Sequence, residues 1–138
     1  MIDRYGKLRG VGDSTVRKGK DGEGLAVKYL QEKGFKIVER NYRAGRKEID
    51  IIAELPDTIV FVEVKFRESD TLASPFEAVN IRKQQNIFRV ANSYVRSRKI
   101  NKDVRFDIIG IVAGVSGQNS SRHNRIEHIE GAFSVFGG

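Results

Sequence analysis

The stretch Ile59-Val60-Phe61-Val62-Glu63-Val64-Lys65, preceded by Glu48-Ile49-Asp50-Ile51-Ile52-Ala53-Glu54, decides how this chain folds. Both runs are rich in β-branched residues and are separated by Leu55-Pro56-Asp57-Thr58, so together they predict a β-hairpin. Alternation sends Val60, Val62 and Val64 to one face and Phe61, Glu63 and Lys65 to the other. If the hairpin closes about Pro56-Asp57 with Leu55 opposite Thr58, Asp50 falls opposite Glu63, and opposed residues point to the same side of a sheet. The expected cluster is Asp50, Glu63 and Lys65 on one face.

Working outward, Leu25, Ala26, Tyr29 and Leu30 recur at helical spacing over residues 21–33, with Asp21 as the expected N-cap and Gly34 just past the end. A strand is expected at 35–42, ahead of the hairpin strands at 48–54 and 59–66. Ser74-Pro75-Phe76-Glu77 reads as a capping box opening a second helix that runs to about Ser97. Phe76, Val79, Lys83, Ile87, Val90 and Tyr94 share one face of that helix, while Arg82, Arg89 and Arg96 lie elsewhere. Strands at 104–112 and 125–133 flank a Gly/Ser/Asn-rich loop over 114–124. The order α-β-β-β-α-β-β is that of an α/β domain with a central mixed sheet flanked by helices.

Composition narrows the chemistry. The 138 residues suit one domain with a single core. There is no cysteine, which removes disulfide scaffolds, thiolate metal sites and cysteine nucleophiles, leaving oxygen and nitrogen groups. No apolar run approaches the roughly 18 residues of a membrane span, and the charged N-terminus lacks the apolar stretch of a signal peptide, so a cytoplasmic protein without a membrane partner is expected. The net charge of +7 favours a polyanionic partner, nucleic acid first. Residues 1–20 hold six basic and two acidic side chains with no sustained periodicity, which reads as a disordered basic tail ahead of a domain at 21–138.

Two carboxylates facing each other repel unless a cation sits between them. Hard divalent ions such as Mg²⁺ take carboxylate oxygens and keep several waters, which suits two acidic ligands plus a substrate phosphate. Lys65 on the same face would hold or activate the attacking water, or offset charge in the transition state. That outlines a phosphodiester hydrolase. The competing reading is a surface Asp-Glu-Lys ladder in which Lys65 simply pairs with Glu63.

Asp50, then Glu63-Val64-Lys65 one hairpin later, after a helix bearing Gly22-Glu23, resembles the PD-(D/E)xK nuclease superfamily with its restriction-endonuclease-like fold. More closely, the chain resembles the YraN-type family of endonuclease-like proteins from about Gly22 to Phe136. The match runs through Glu48-Ile49-Asp50-Ile51-Ile52, Phe61-Val62-Glu63-Val64-Lys65-Phe66-Arg67, Ser74-Pro75, Glu77-Ala78-Val79, Lys83-Gln84 and Arg105-Phe106-Asp107. Its layout is also similar to that of archaeal Holliday-junction resolvases. The resemblance implies Asp50 and Glu63 as ligands of Mg²⁺ or Mn²⁺, Lys65 as the catalytic lysine and Glu23 as an outer ligand or water-orienting base. It departs from the pattern in having Ile49-Asp50 for Pro-Asp, and Lys47 where the close family has glycine.

The remaining candidates carry plainer readings as well. Glu23 fits the first turn of a helix by its charge alone. Asp107 reads as a salt-bridge partner of Arg105 or of a helix arginine, and His123 and His128 lack zinc spacing. Arg43, Arg46, Lys47, Arg67, Lys83 and Gln84 are the expected nucleic-acid contacts, with further bases along the second helix. Two functions are thus expected: a metal-dependent endonuclease-like protein acting on DNA, on branched or flapped structures, or a non-cleaving nucleic-acid-binding module of the same fold working with partners in recombination or DNA uptake. A structural protein with an incidental acidic pair is the weaker third. A homodimer would place two sites on two strands.

Overall fold

In the computed structural model the backbone is described over residues 13–68, 80–116 and 122–133, and side chains over 22–66, 80–112 and 124–133. The elements are α1 (Asp13–Glu32), β1 (Lys36–Ala44), β2 (Lys47–Leu55), β3 (Thr58–Glu68), α2 (Ile81–Ser97), β4 (Asp103–Ser116) and β5 (Arg122–Ile129). The expected order α-β-β-β-α-β-β is found. The strands lie side by side in the order β1-β2-β3-β4-β5, antiparallel throughout except for the parallel β3–β4 pair, which α2 bridges. Among the described residues no helix is long and apolar enough to cross a membrane.

One helix covers each face of the sheet. Ala26 and Leu30 of α1 pack with Ile51, Ala53, Val60, Val62, Ile109 and Ile111. Ile87, Val90, Ala91 and Tyr94 of α2 pack with Ile49, Ile52, Ile59, Phe61 and Phe106 on the other face. Central strands flanked on both sides carry apolar residues on both faces, as Ile51-Ile52-Ala53 of β2 and Ile59-Val60-Phe61-Val62 of β3 do. Phe61 stands edge-on to Tyr94 and stacks on Phe106, which anchors α2 on the sheet.

The hairpin register is the expected one, with Leu55 opposite Thr58 and Ile51 opposite Val62. Several boundaries differ from expectation. The first helix begins at Asp13, so Asp21 lies inside it and is not its cap, and the added turns hold Ser14, Thr15, Val16 and Gly19, which favour a helix weakly. The second helix begins at Ile81, because Asn80 has extended backbone (φ −82°, ψ 175°) and its side chain accepts the Lys83 N–H at 2.9 Å. The Ser74–Glu77 box, and with it Phe76 and Val79, lies outside the described residues. Strand pairing reaches into the expected Gly/Ser loop from both ends, to Ser116 and from Arg122. β5 stops at Ile129, where Gly131 turns the chain with φ 60° and lets Phe133 stack on Phe106.

One irregularity bears on the site. Strict alternation would put Ile49 and Ile51 on the same face, yet Ile49 packs with α2 and Ile51 with α1. Across the β1–β2 ladder, Arg40 pairs with Ile51 and Tyr42 with Ile49, and Asn41 between them adopts φ 51°. Asparagine tolerates this left-handed backbone better than most residues. The two strands change face together at the level of Asn41 and Asp50.

Candidate active site

Pairing between β2 and β3 stops at Ile51–Val62, so the expected ladder pair of Asp50 with Glu63 is not formed, while β3 stays paired with β4 along its whole length, Glu63 opposite Ile108. Asp50 bridges the resulting gap with its side chain, whose Oδ2 accepts the Val64 N–H at 2.8 Å. Glu63 is 6% exposed and stands beside this junction. Its Oε1 takes two ammonium groups, Lys65 Nζ at 3.5 Å and Lys83 Nζ at 2.6 Å. The sheet positions three of these groups and the first turn of α2 brings the fourth. Asp50 and Glu63 line an open cleft of about 440 Å³ with Arg46, Lys47, Asn80, Arg82, Lys83 and Asn86.

The electrostatics are those of crowded charges, partly buried at the floor of an open cleft. Burial, and after it the Glu63 carboxylate, pushes Asp50 up from 3.8 to about 7, against the pull of the Val64 N–H. Burial lowers Lys65, and so does the neighbouring Lys83, while Glu63 pulls the other way. Burial alone would lower Lys83 as well, but its short contact with Glu63 outweighs that and raises it. One ammonium is thus tightly held and the other sits where its charge is disfavoured.

Glu23 reaches the same neighbourhood from α1. It is 6% exposed and its charge adds to the upward push on Asp50. Gly22 allows the approach: a Cβ there would lie 2.9 Å from Cδ2 of Phe66 on β3. Among the described residues, however, no three carboxylates or imidazoles gather into a ready metal cage. The donor set fits a hard ion that keeps water and borrows substrate oxygens, since Mg²⁺ is commonly held by one or two carboxylates.

The expected nucleic-acid contacts separate. Arg46, Lys47 and Lys83 line the cleft. Arg43 is paired with Glu48 at 3.1 Å, Gln84 is half-buried without lining the cleft, and the Arg67 side chain lies outside the described residues. Arg82, one of the bases expected along the second helix, lines the cleft too, and so do Asn80 and Asn86, which were not among the expected contacts; the signal that could have found Asn80 is an asparagine placed three residues before Lys83, as a helix cap. Asp107 lies elsewhere, fully buried. It accepts Arg105 Nε and Nη2 at 2.9 Å each, the Gly131 N–H at 3.0 Å and His128 Nε2 at 2.8 Å. Tyr29 of α1 meets the other ring nitrogen of His128 at 3.1 Å. Burial by itself would raise Asp107, but these bonds prevail and hold it below its ordinary value.

A family model described as "Uncharacterised protein family UPF0102" matches residues 22–111. A UPF0102 protein of Chlorobium chlorochromatii (strain CaD3) is 43% identical over 123 residues, covering 89% of this chain and 95% of that protein. A UPF0102 protein of Alkaliphilus oremlandii (strain OhILAs) is 48% identical over 115 residues, covering 81% and 93%. The span shared with the family model contains Glu23, Asp50, Glu63, Lys65 and Lys83.

Proposed function

This chain belongs to the uncharacterised protein family UPF0102, the YraN-type family, and from its site we propose a Mg²⁺- or Mn²⁺-dependent endonuclease that hydrolyses phosphodiester bonds in DNA. The observation that carries the reading is that Asp50, Glu63 and Lys83 line one cleft bordered by Arg46, Lys47 and Arg82, with Lys65 in contact with Glu63 beside it. Acidic oxygens at the centre with bases around them suit a phosphate that must be held and polarised together.

Asp50 and Glu63 would hold the ion, which when bound supplies an activated water and stabilises charge on the phosphoryl oxygens. Asp50 is fixed for this by the Val64 N–H, so one of its oxygens is already oriented. Lys65, half-buried and disfavoured as a cation, positions the attacking water or takes up its proton. Lys83 neutralises Glu63 and, with Arg46 and Lys47, meets the phosphate. Glu23 stands behind Asp50 as a water-orienting acid.

The second reading, a nucleic-acid-binding module that does not cut, draws on one feature: two lysines on Glu63 already offset the buried charge. Titration of Mn²⁺ into wild type and Asp50→Ala separates the two, because only the nuclease needs a binding heat that the substitution abolishes. The deciding assay offers linear, flapped and four-way DNA with Mg²⁺ or Mn²⁺. Cleavage of at least one substrate is expected, reduced about 10²–10³-fold by Lys65→Ala, the range for losing one preorganised electrostatic group. If nothing is cut, or Lys65→Ala cuts as well as wild type, the nuclease reading fails.

A further inference from the structure

α2 contains no acidic residue over its whole length, Ile81–Ser97. A solvated surface helix ordinarily mixes signs, because Glu and Lys four residues apart support one another. Here the side away from the core carries Arg82, Arg89 and Arg96, with Gln85, Asn92 and Ser93 around them, all exposed. The buried side is Ile87, Val90, Ala91 and Tyr94. Seven residues fall about 20° short of two full turns, so the three arginines stand almost in line on the face opposite the core. Among the described residues none of the three guanidinium groups has an acidic partner, whereas Arg98 is paired with Glu39. Arg89 and Arg96 border an open groove of about 520 Å³ with Asn92, Ser93 and Ser97, and Arg82 borders the cleft that holds Asp50 and Glu63. The row therefore starts at the cleft and leads away from it.

We propose that the outer face of α2 is a docking track for the phosphate backbone of a nucleic-acid duplex, one arm of which lies along Arg82, Arg89 and Arg96 while the cleft receives the strand to be cut. This rests on the reading of the cleft given above and extends it to the form of the substrate. Unpaired guanidinium groups among neutral hydrogen-bonding side chains suit phosphates and carry no base readout. The aromatic residues of α2, Phe88 and Tyr94, both pack toward the sheet, so the track offers no stacking platform for the unstacked bases of a single strand. Fourteen residues at about 1.5 Å each make a row of about 21 Å, the length of about six base pairs. Binding should thus strengthen with duplex length up to about that many pairs beyond the cleft and be indifferent to sequence.

The test uses the full chain in the absence of divalent ions, with fluorescence anisotropy of a 12-base-pair duplex at a series of NaCl concentrations. The variant is Arg82→Gln/Arg89→Gln/Arg96→Gln, in which glutamine keeps good helix propensity. Its control is Lys28→Gln/Lys36→Gln/Arg40→Gln, three exposed bases outside the cleft and α2 with the same change in net charge. Loss of three phosphate contacts should reduce the slope of log affinity against log salt by about 2.7, with the control changing it by less than a third of that. Equal changes in the two variants overturn the track. A single strand of the same length that binds as tightly as the duplex overturns the duplex assignment, and so does a variant that loses only its adsorption to vesicles of phosphatidylserine and phosphatidylcholine. Mn²⁺ titration keeps the two ideas apart: a variant that binds Mn²⁺ like wild type but has lost the duplex supports the track, while a wild type that binds the duplex through these arginines and takes up no Mn²⁺ removes the metal site and leaves the track standing.

Discussion

Asp50 is held in place by a backbone N–H and is crowded by Glu63, and both facts have a measurable consequence. Its folded-state pKa of about 7 lies above the ordinary 3.8, so between those values the native protein binds more protons than the unfolded chain. Stability through this group is therefore lost as pH rises from about 4 to 7. Asn at position 50 keeps an oxygen for the Val64 N–H and carries no charge. Asp50→Asn should accordingly be more stable than wild type at pH 8, by on the order of 1–3 kcal/mol in urea denaturation, with the difference shrinking toward pH 4. A difference that does not vary with pH would show that charge crowding is not what Asp50 contributes. That Glu63 and Lys65 share a face was legible from strand periodicity, and the hairpin register brought Asp50 to their level; how Asp50 reaches them was not, because alternation fails at its position and the ladder ends at Ile51–Val62. The contact of Lys83 with Glu63 was not, since it crosses between elements joined by a long connection.

At the scale of elements, α2 with its cap carries half of what lines the cleft: its first turn supplies Arg82 and Lys83, and its cap is Asn80. Replacing that cap removes one hydrogen bond to the orphan N–H groups of the first turn. Asn80→Ala should lower stability by about 1 kcal/mol and Asn80→Asp by much less. Because the first turn also aims Lys83 at Glu63, Asn80→Ala should in addition weaken phosphate or DNA binding, read by anisotropy; unchanged binding would mean that Lys83 is held by Glu63 alone. The helix itself was readable from Ile87, Val90 and Tyr94. Its start was not, because two capping signals lie within six residues of each other and local pattern does not choose between them. The start of α1 was not readable either: it lies eight residues upstream of the expected cap at Asp21, in a stretch with Ser14, Thr15, Val16 and Gly19 that local propensity does not mark as helix.

For the molecule as a whole, the fold depends on ties between distant segments. Asp107 on β4 is the knot among Arg105, His128 of β5 and the turn at Gly131, and through His128 it reaches Tyr29 of α1. With Nε2–H donated to Asp107, Nδ1 of His128 is free to accept the Tyr29 hydroxyl. Removing the carboxylate strands a buried histidine and an arginine at once. Asp107→Ala should cost about 3–5 kcal/mol in urea unfolding, while the heat of Mn²⁺ binding stays as in wild type, since Asp107 lines no part of the cleft. An equal loss of both would make it part of the site. Its pairing with Arg105, two residues away on one strand face, was legible in the sequence; its bond to His128, 21 residues on, was not.

The sequence by itself determined the hairpin, its register and the order of elements, because each follows from period-two or helical spacing and a short turn. Only the tertiary structure decided that the β2–β3 ladder ends at Ile51–Val62 while β3 stays paired with β4 along its whole length, that Asp50 fills the gap with its own carboxylate, and that α1 and α2 bring Glu23 and Lys83 to it from opposite faces. Those outcomes depend on how two apolar helix faces settle on a twisted sheet, and packing between segments far apart in the chain leaves no fixed spacing to read.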